Sequence, residues 1–361
     1  EVAAVVKRLR NHASLAIWCG DNEIDMAYLS DGISPEHNRI TRTVIPQVVQ
    51  RHDPYRAFVP SSPYAPPAVI SQADPWRATP EQHLWGPRGY FKSPFYTQHS
   101  AHFIGEMGYH GCPNVSSIDR FISPDSRWPW RKDGKTVDEW NLHSTYHWDH
   151  SANERDRIKL MANQVREWLG EVPEDIDRFA IASQVTQAEA KKFFVESTRM
   201  RKWKTTGVLW WNVIDGWPQF SDAIVDYYFG KKLAYHYIWR AQRGVCLMIG
   251  EAGSGKILPL VASNDTNLDQ HLTYRVWDAE TGITACAGSA QVPANQNWQL
   301  DQIRIFNSEQ RLFLIQWDLG GQQFGNHYVA GWPPVSLDWY LRMLPKIAAL
   351  PRSFDSELVA R

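Results

Sequence analysis

Cysteine is scarce. The 361 residues include four (Cys19, Cys112, Cys246 and Cys286), widely spaced and without a C-x-x-C pair. This excludes a disulfide-built scaffold and a paired-thiol metal or redox motif. The four read as buried free thiols, which leaves the compartment open. No stretch approaches the roughly 18 uninterrupted apolar residues of a membrane helix. Neither sign of charge dominates: 38 Lys and Arg face 39 Asp and Glu, a net charge of −1. The electrostatic footprint of a nucleic-acid binder is therefore missing. Internal repeats and low-complexity tracts are also missing, and with 43% apolar residues the chain is not disordered. There is no initiator methionine and no charged segment leading into an apolar signal core. Glu1–Leu9 reads as a helix already under way, and the expectation is a C-terminal part of something longer.

Tryptophan is abundant, with 18 beside 14 Tyr and 14 Phe. Flat rings with a polar edge suit the apolar faces and polar rims of pyranoses. Large cores use the same residues, so composition leaves both uses open.

Short apolar runs alternate with helical patterns along the first two thirds of the chain. Strands are predicted at Leu15–Cys19, Ala57–Ser62, His83–Gly86, His102–Met107 and Gly207–Asn212. Helices are predicted at Val44–Arg51 and near 152–169 and 186–203. Continuous apolar strands between helices indicate a parallel α/β sheet or barrel buried on both faces. Past residue 242 the pattern changes to runs of alternating or mixed polarity separated by turns: Gly244–Ile249, Ile257–Asn264, Leu272–Asp278, Ala285–Val292, Gln302–Phe306 and Leu312–Asp318. That spacing indicates a β-sandwich. The domains expected are 1–242 and 243–361.

Two carboxylates stand at predicted strand ends, Glu23 in Trp18-Cys19-Gly20-Asp21-Asn22-Glu23 and Glu106 in Phe103-Ile104-Gly105-Glu106-Met107-Gly108. Strand C-termini are where barrels place catalysis. Two facing carboxylates are the chemistry of glycoside cleavage, one protonated and one ionised.

Arg8–Glu23, with its Asn22-Glu23 pair, resembles the acid/base motif that follows strand four of the (β/α)8 TIM barrel in family 2 glycoside hydrolases. Ile104-Gly105-Glu106-Met107-Gly108 resembles the nucleophile motif at strand seven. Ser183-Gln184, Gln187-Ala188, Glu196 and Arg199 resemble the seventh helical region of the β-mannosidase branch. Thr206–Asn212, Asp215-Gly216-Trp217-Pro218 and Asp226-Tyr227-Tyr228 resemble its strand-eight segment.

The resemblance implies an α/β barrel entered near strand four, with an immunoglobulin-like sandwich after it and no sequence for strands one to three. It implies a retaining exo-β-glycosidase removing terminal non-reducing β-mannosyl residues, with Glu23 as acid/base and Glu106 as nucleophile. Asn22 is then expected on the sugar 2-hydroxyl and Trp211 under the ring. Tyr90 is expected near the nucleophile, and His83, Trp85 and Trp217 at the pocket wall. Carboxyl groups about 5–5.5 Å apart are expected of a retaining site. Asn212 stands where β-mannosidases usually have Gln, which leaves β-galactosides, β-glucosides and β-glucosaminides open as substrates. A non-catalytic carbohydrate-binding or scaffold protein is the reading from another class. The partner expected is an oligosaccharide or glycoconjugate, without nucleic acid, membrane or cofactor. A homodimer stays open, and a bacterial source would make the protein periplasmic or secreted.

Trp128, Trp130, Trp140 and Trp148 crowd the loop after Glu106, and one or two are expected on substrate. His143, His147 and His150 fit no zinc spacing, so no metal is expected. Gly250–Lys256 nearly matches a phosphate-binding loop, but Ile257 stands where Ser or Thr is needed and no helix follows, so a hairpin turn is expected. Trp277, Trp298 and Trp317 read as sandwich core ahead of a binding face.

Overall fold

The computed structural model describes residues 1–86, 88–144, 157–252, 256–306 and 310–354. It divides into two compact units. One comprises Glu1–Trp85, Gln98–Met107 and Trp203–Leu209; the other comprises Gly86–Thr97, Gly108–Lys202 and Trp210–Arg361.

In the first unit, α1 (Val2–Leu9) buries Val6 and packs on α3 (Ile45–His52), which buries Val49; α2 (Ile24–Ser30) precedes α3 in the chain. Strands β1 (Ile17–Cys19) and β2 (Ala57–Val59) pair in parallel with Trp18 opposite Phe58. A parallel pair needs a long crossover, here the helical segment between them. The Trp18 indole donates to Asp53 at 2.9 Å, and Arg56 holds the same carboxylate at 2.7 Å. The expectation that this strand is buried on both faces fails: Ile17 is 47% exposed and Cys19 is exposed. Among the described residues β1 pairs only with β2, which leaves its apolar faces partly open. Cys19 is therefore an exposed thiol, whereas Cys112 and Cys246 are buried and Cys286 is half-buried.

Strands β3 (Glu81–His83) and β4 (Phe103–Gly108) also pair in parallel, with strand Val208–Trp211 beyond β4. Ile104 N–H donates to the Gly207 carbonyl at 3.0 Å. A side chain at Gly207 would lie 2.6 Å from the Phe103 ring, so glycine permits this close approach.

In the second unit, helices span Arg157–Leu169 and Ile176–Met200. The second starts ten residues before the expected position. Asp175 caps it by accepting from Arg178 N–H at 2.8 Å. It is buried almost all round and carries buried Ser183, Gln184, Gln187, Glu189, Lys191 and Lys192, so no polar face marks it as a helix in the sequence. Gln187 donates to the carbonyls of Tyr109 and Asp222 at 3.0 and 3.1 Å, and Ser183 accepts from Cys112 N–H at 3.0 Å. Trp140 is fully buried and stacks on Phe220 at 4.3 Å, while Trp128 and Trp130 pack on Phe179. These three tryptophans brace the fold. His147, Trp148 and His150 lie outside the described residues.

The C-terminal part of this unit holds two antiparallel sheets over one core that includes Leu247, Leu260, Val276, Ile315 and Trp317. Two elements beyond those predicted complete it, strand Gln322–Ala330 and helix Leu337–Ala348. Gly320 and Gly321, at φ 60° and 81°, form the two-residue turn that returns the chain into Gln322–Ala330. Trp317 is core, and Trp298 is 47% exposed. The segment after Gly250 joins antiparallel strands Val245–Ile249 and Ile257–Asn264, and a strand follows it where a phosphate loop needs a helix. No helix among the described residues is long and apolar enough to cross a membrane.

Candidate active site

Glu23 lies just past β1, at φ 59°, where it precedes α2. A side chain at Gly20 would meet the Pro60 carbonyl at 2.4 Å, so the turn after β1 runs directly against the chain leaving β2. Glu23 N–H donates to the Ser62 carbonyl at 2.8 Å, and Ser62 N–H donates to the Asp21 carbonyl at 3.0 Å. This exchange fixes Asn22, Glu23 and Ser62 together.

Glu106 comes from β4, and His83 lies opposite it on β3. The His83 side chain is fully buried, against exposures of 40% for Glu23 and 14% for Glu106. Its Nδ1 lies 2.7 Å from Glu23 Oε1 and 3.5 Å from Glu106 Oε2. Its Nε2 lies 3.0 Å from Ser62 Oγ and 3.4 Å from Glu81 Oε1, and the Ser62 hydroxyl donates to Glu81 Oε1 at 2.5 Å. Trp85 Nε1 donates to Glu106 Oε2 at 2.9 Å, and the Asn22 side chain also hydrogen-bonds Glu106. A side chain at Gly105 would lie 1.8 Å from Glu81 Oε1 and 3.0 Å from His83 Nε2. Glycine there makes the room these two groups occupy.

The electrostatics follow from this packing. Burial opposes charge on His83, yet hydrogen bonds to Glu23 and Glu81 and the charges of Glu106 and Glu23 push it up to about 9. Burial raises Glu106 above the usual carboxylate range; His83, Trp85 and Asn22 oppose that rise, and Glu23 adds to it. Ligand atoms of Glu23, His83 and Glu106 lie within 4.8 Å of one another, the spacing of a cation site. The imidazole nitrogens already engage Glu23 and the Ser62–Glu81 pair, so the arrangement is complete as a hydrogen-bonded network.

Five of the residues singled out in the sequence thus come together: Glu23, Glu106, Asn22, His83 and Trp85. Asn22 is found on Glu106, and His83 lies between the carboxylates. The other three belong to the second unit. Tyr90 lines a cavity there with Phe91, Lys92, Trp168 and Tyr328, where burial pushes its hydroxyl up to about 12. Trp211 is 47% exposed, with its carbonyl accepting from Lys191. Trp217 stacks on His143 at 5.9 Å. Glu81 and Ser62 were not singled out. The signal for Glu81 is its place two residues before His83, which puts both on one face of a strand.

No protein-family profile matches the chain. It is 26% identical over 263 residues to β-mannosidase B of Aspergillus clavatus, covering 65% of this chain and 28% of that protein. With β-mannosidase B of Aspergillus niger it shares 24% over 270 residues, 67% of this chain and 29% of the other. The structure matches the β-D-mannosidase of Dictyoglomus thermophilum with a TM-score of 0.73 and 23% identity, over 93% of this chain and 40% of that one. The chain is thus similar in sequence and in fold to β-mannosidases. An exo-chitosanase of Amycolatopsis orientalis shares the fold at a TM-score of 0.59 and 15% identity, over 91% of this chain and 38% of that one. The β-mannosidase-like chain spans under a third of the length of the curated relatives it matches.

Proposed function

We propose that this chain carries both catalytic carboxylates of a retaining exo-β-glycosidase acting on terminal non-reducing β-mannosyl residues of oligosaccharides or glycoconjugates. The observation that carries the reading is the convergence of Glu23, which follows β1, and Glu106, which lies within β4, with carboxylate oxygens within 4.8 Å. That proximity suits a nucleophile and an acid/base better than the gap of roughly 6.5–9.5 Å that an inverting site keeps for water.

In this reading Glu106, held by Trp85 and Asn22, attacks the anomeric carbon. Glu23, the more exposed of the pair, gives its proton to the leaving oxygen and later takes one from the incoming water. Trp211 and Trp217 are exposed flat rings of the kind that sugars stack on. Residues 1–242 would then be the later part of a (β/α)8 barrel, and 243–361 an immunoglobulin-like sandwich.

The test is hydrolysis of aryl β-mannoside, glucoside, galactoside and glucosaminide by the intact polypeptide, with Glu106→Gln as blank. Mannoside turnover abolished by the substitution is expected. Turnover of another sugar alone would keep the carboxylates and overturn the specificity. Silence across the panel would favour a carbohydrate-binding protein.

A further inference from the structure

Glu23 and Glu106 do not meet an empty pocket floor; a third titratable group is wedged between them. The His83 side chain is fully buried, and three carboxylates on three separate segments surround it: Glu23 after β1, Glu81 on its own strand and Glu106 on β4. Ser62, from the turn after β2, closes the Nε2 side. Cys19 is a further titratable group near Glu81; partial desolvation of its sulfur raises the thiol, the charges of Glu81 and Asp21 add to this, and backbone donors oppose it. No cationic side chain is placed on these carboxylates by any of these contacts. One proton shared among them belongs on the strongest base within reach, and the imidazole is both that base and the group touching all three.

Resting on the retaining-glycosidase reading, we propose that His83 holds the catalytic proton in the free site and passes it through Nδ1 to Glu23 as the glycosidic bond breaks. His83 is thus a positioning residue acting through Glu23. The step balances. Glu106 forms its bond to the anomeric carbon as the carbon–oxygen bond to the leaving group breaks. Glu23 receives the proton of Nδ1–H and delivers it to the leaving oxygen, which leaves Glu23 ionised and His83 neutral. In the second half, water attacks the anomeric carbon and Glu106 departs as carboxylate. The proton lost by water returns through Glu23 to Nδ1. Glu81 and Ser62 keep the ring oriented throughout. The raised affinity of His83 for its proton agrees with the imidazolium as resting form.

Two measurements on the intact polypeptide test this, and they fail separately from the function. First, ¹⁵N NMR of the imidazole nitrogens of His83 is followed between pH 6 and 10 in the wild type and in Glu81→Gln. A ring protonated at both nitrogens past pH 8, losing its proton at lower pH in the variant, is expected. A neutral ring at pH 7 overturns the proposal whether or not the protein turns over any sugar. Second, His83→Asn keeps a neutral donor near the Nδ1 position but cannot store a proton. General acid assistance contributes roughly 10²-fold or more, so turnover of an aryl mannoside with a poor leaving group should fall about 100-fold. A dinitrophenyl mannoside, whose leaving group needs no proton, should lose under about 10-fold in glycosylation. The basic limb of kcat/KM should also move. Equal losses on both substrates with an unmoved basic limb would make His83 merely structural. Inert wild-type protein would overturn the glycosidase reading and leave the NMR result to decide where the proton resides.

Discussion

Trp85 donates its indole N–H to Glu106 at 2.9 Å, from the loop that follows β3. The bond stabilises the ionised carboxylate that the proposed nucleophile role requires, and it works against the burial that raises Glu106. A hydrogen bond to a charged group contributes about 1.5–3 kcal/mol. Trp85→Phe should therefore lower kcat/KM by roughly 10–100-fold, by that same energy. Loss of a donor to the charged form raises the carboxyl further, so the acidic limb of the pH–rate profile should move to higher pH. An unmoved acidic limb would mean that another group sets it.

Gly105 separates a steric account of the motif from a merely conformational one. An added methyl would lie 1.8 Å from Glu81 Oε1, whereas at Gly89 nothing lies within 4 Å. Gly105→Ala should cost about 1–3 kcal/mol, typical of overpacking, and Gly89→Ala close to nothing. Urea titrations compare the two, and equal midpoints would contradict the packing described.

In the sandwich, Trp317 is 1% exposed and Trp298 is 47% exposed. Trp317→Ala should destabilise by about 3–5 kcal/mol, and Trp298→Ala should leave the melting temperature nearly unchanged. A loss of carbohydrate affinity in Trp298→Ala without loss of stability would turn this domain from a support into a binding module.

Buried histidines contribute slopes of opposite sign to the pH dependence of stability. His110 and His327 are lowered to about 4 and 3, each chiefly by burial. Below about 6.5 the unfolded chain binds protons that the folded one refuses, so stability falls as pH drops. His83 has the opposite sign. Burial lowers it, but its carboxylate partners carry it to about 9. Its contribution is complete below about 6.5 and is lost as pH rises toward 9. His83→Asn should flatten the alkaline slope alone, as urea unfolding at stepped pH would show.

The sequence was informative where chemistry is concentrated in contiguous segments. Asn22 and Glu23 follow one strand, Glu106 sits in another, and His83 and Trp85 are two residues apart, so the central group was legible. Glu81 was not, because strand β3 starts two residues before the apolar run that suggested it. Helix Ile176–Met200 starts ahead of its expected position near 186, since its buried Gln187, Glu189 and Lys191 erase the amphipathic stripe that marks surface helices. Strand Gln322–Ala330 escapes the sequence pattern because its start is polar, although the glycine pair before it is a hairpin signal. What Asn22 touches could not be read at all, because its partner Glu106 comes from a strand more than 80 residues away.

The central claim is that Glu106 attacks the sugar. The most direct measurement is mass spectrometry of peptides after treating the intact polypeptide with a 2-deoxy-2-fluoro-mannosyl fluoride, whose covalent intermediate turns over slowly. The account predicts a fluoromannosyl ester on the peptide containing Glu106, absent in Glu106→Gln. A label on another carboxylate, or turnover with inverted stereochemistry and no label, would contradict it.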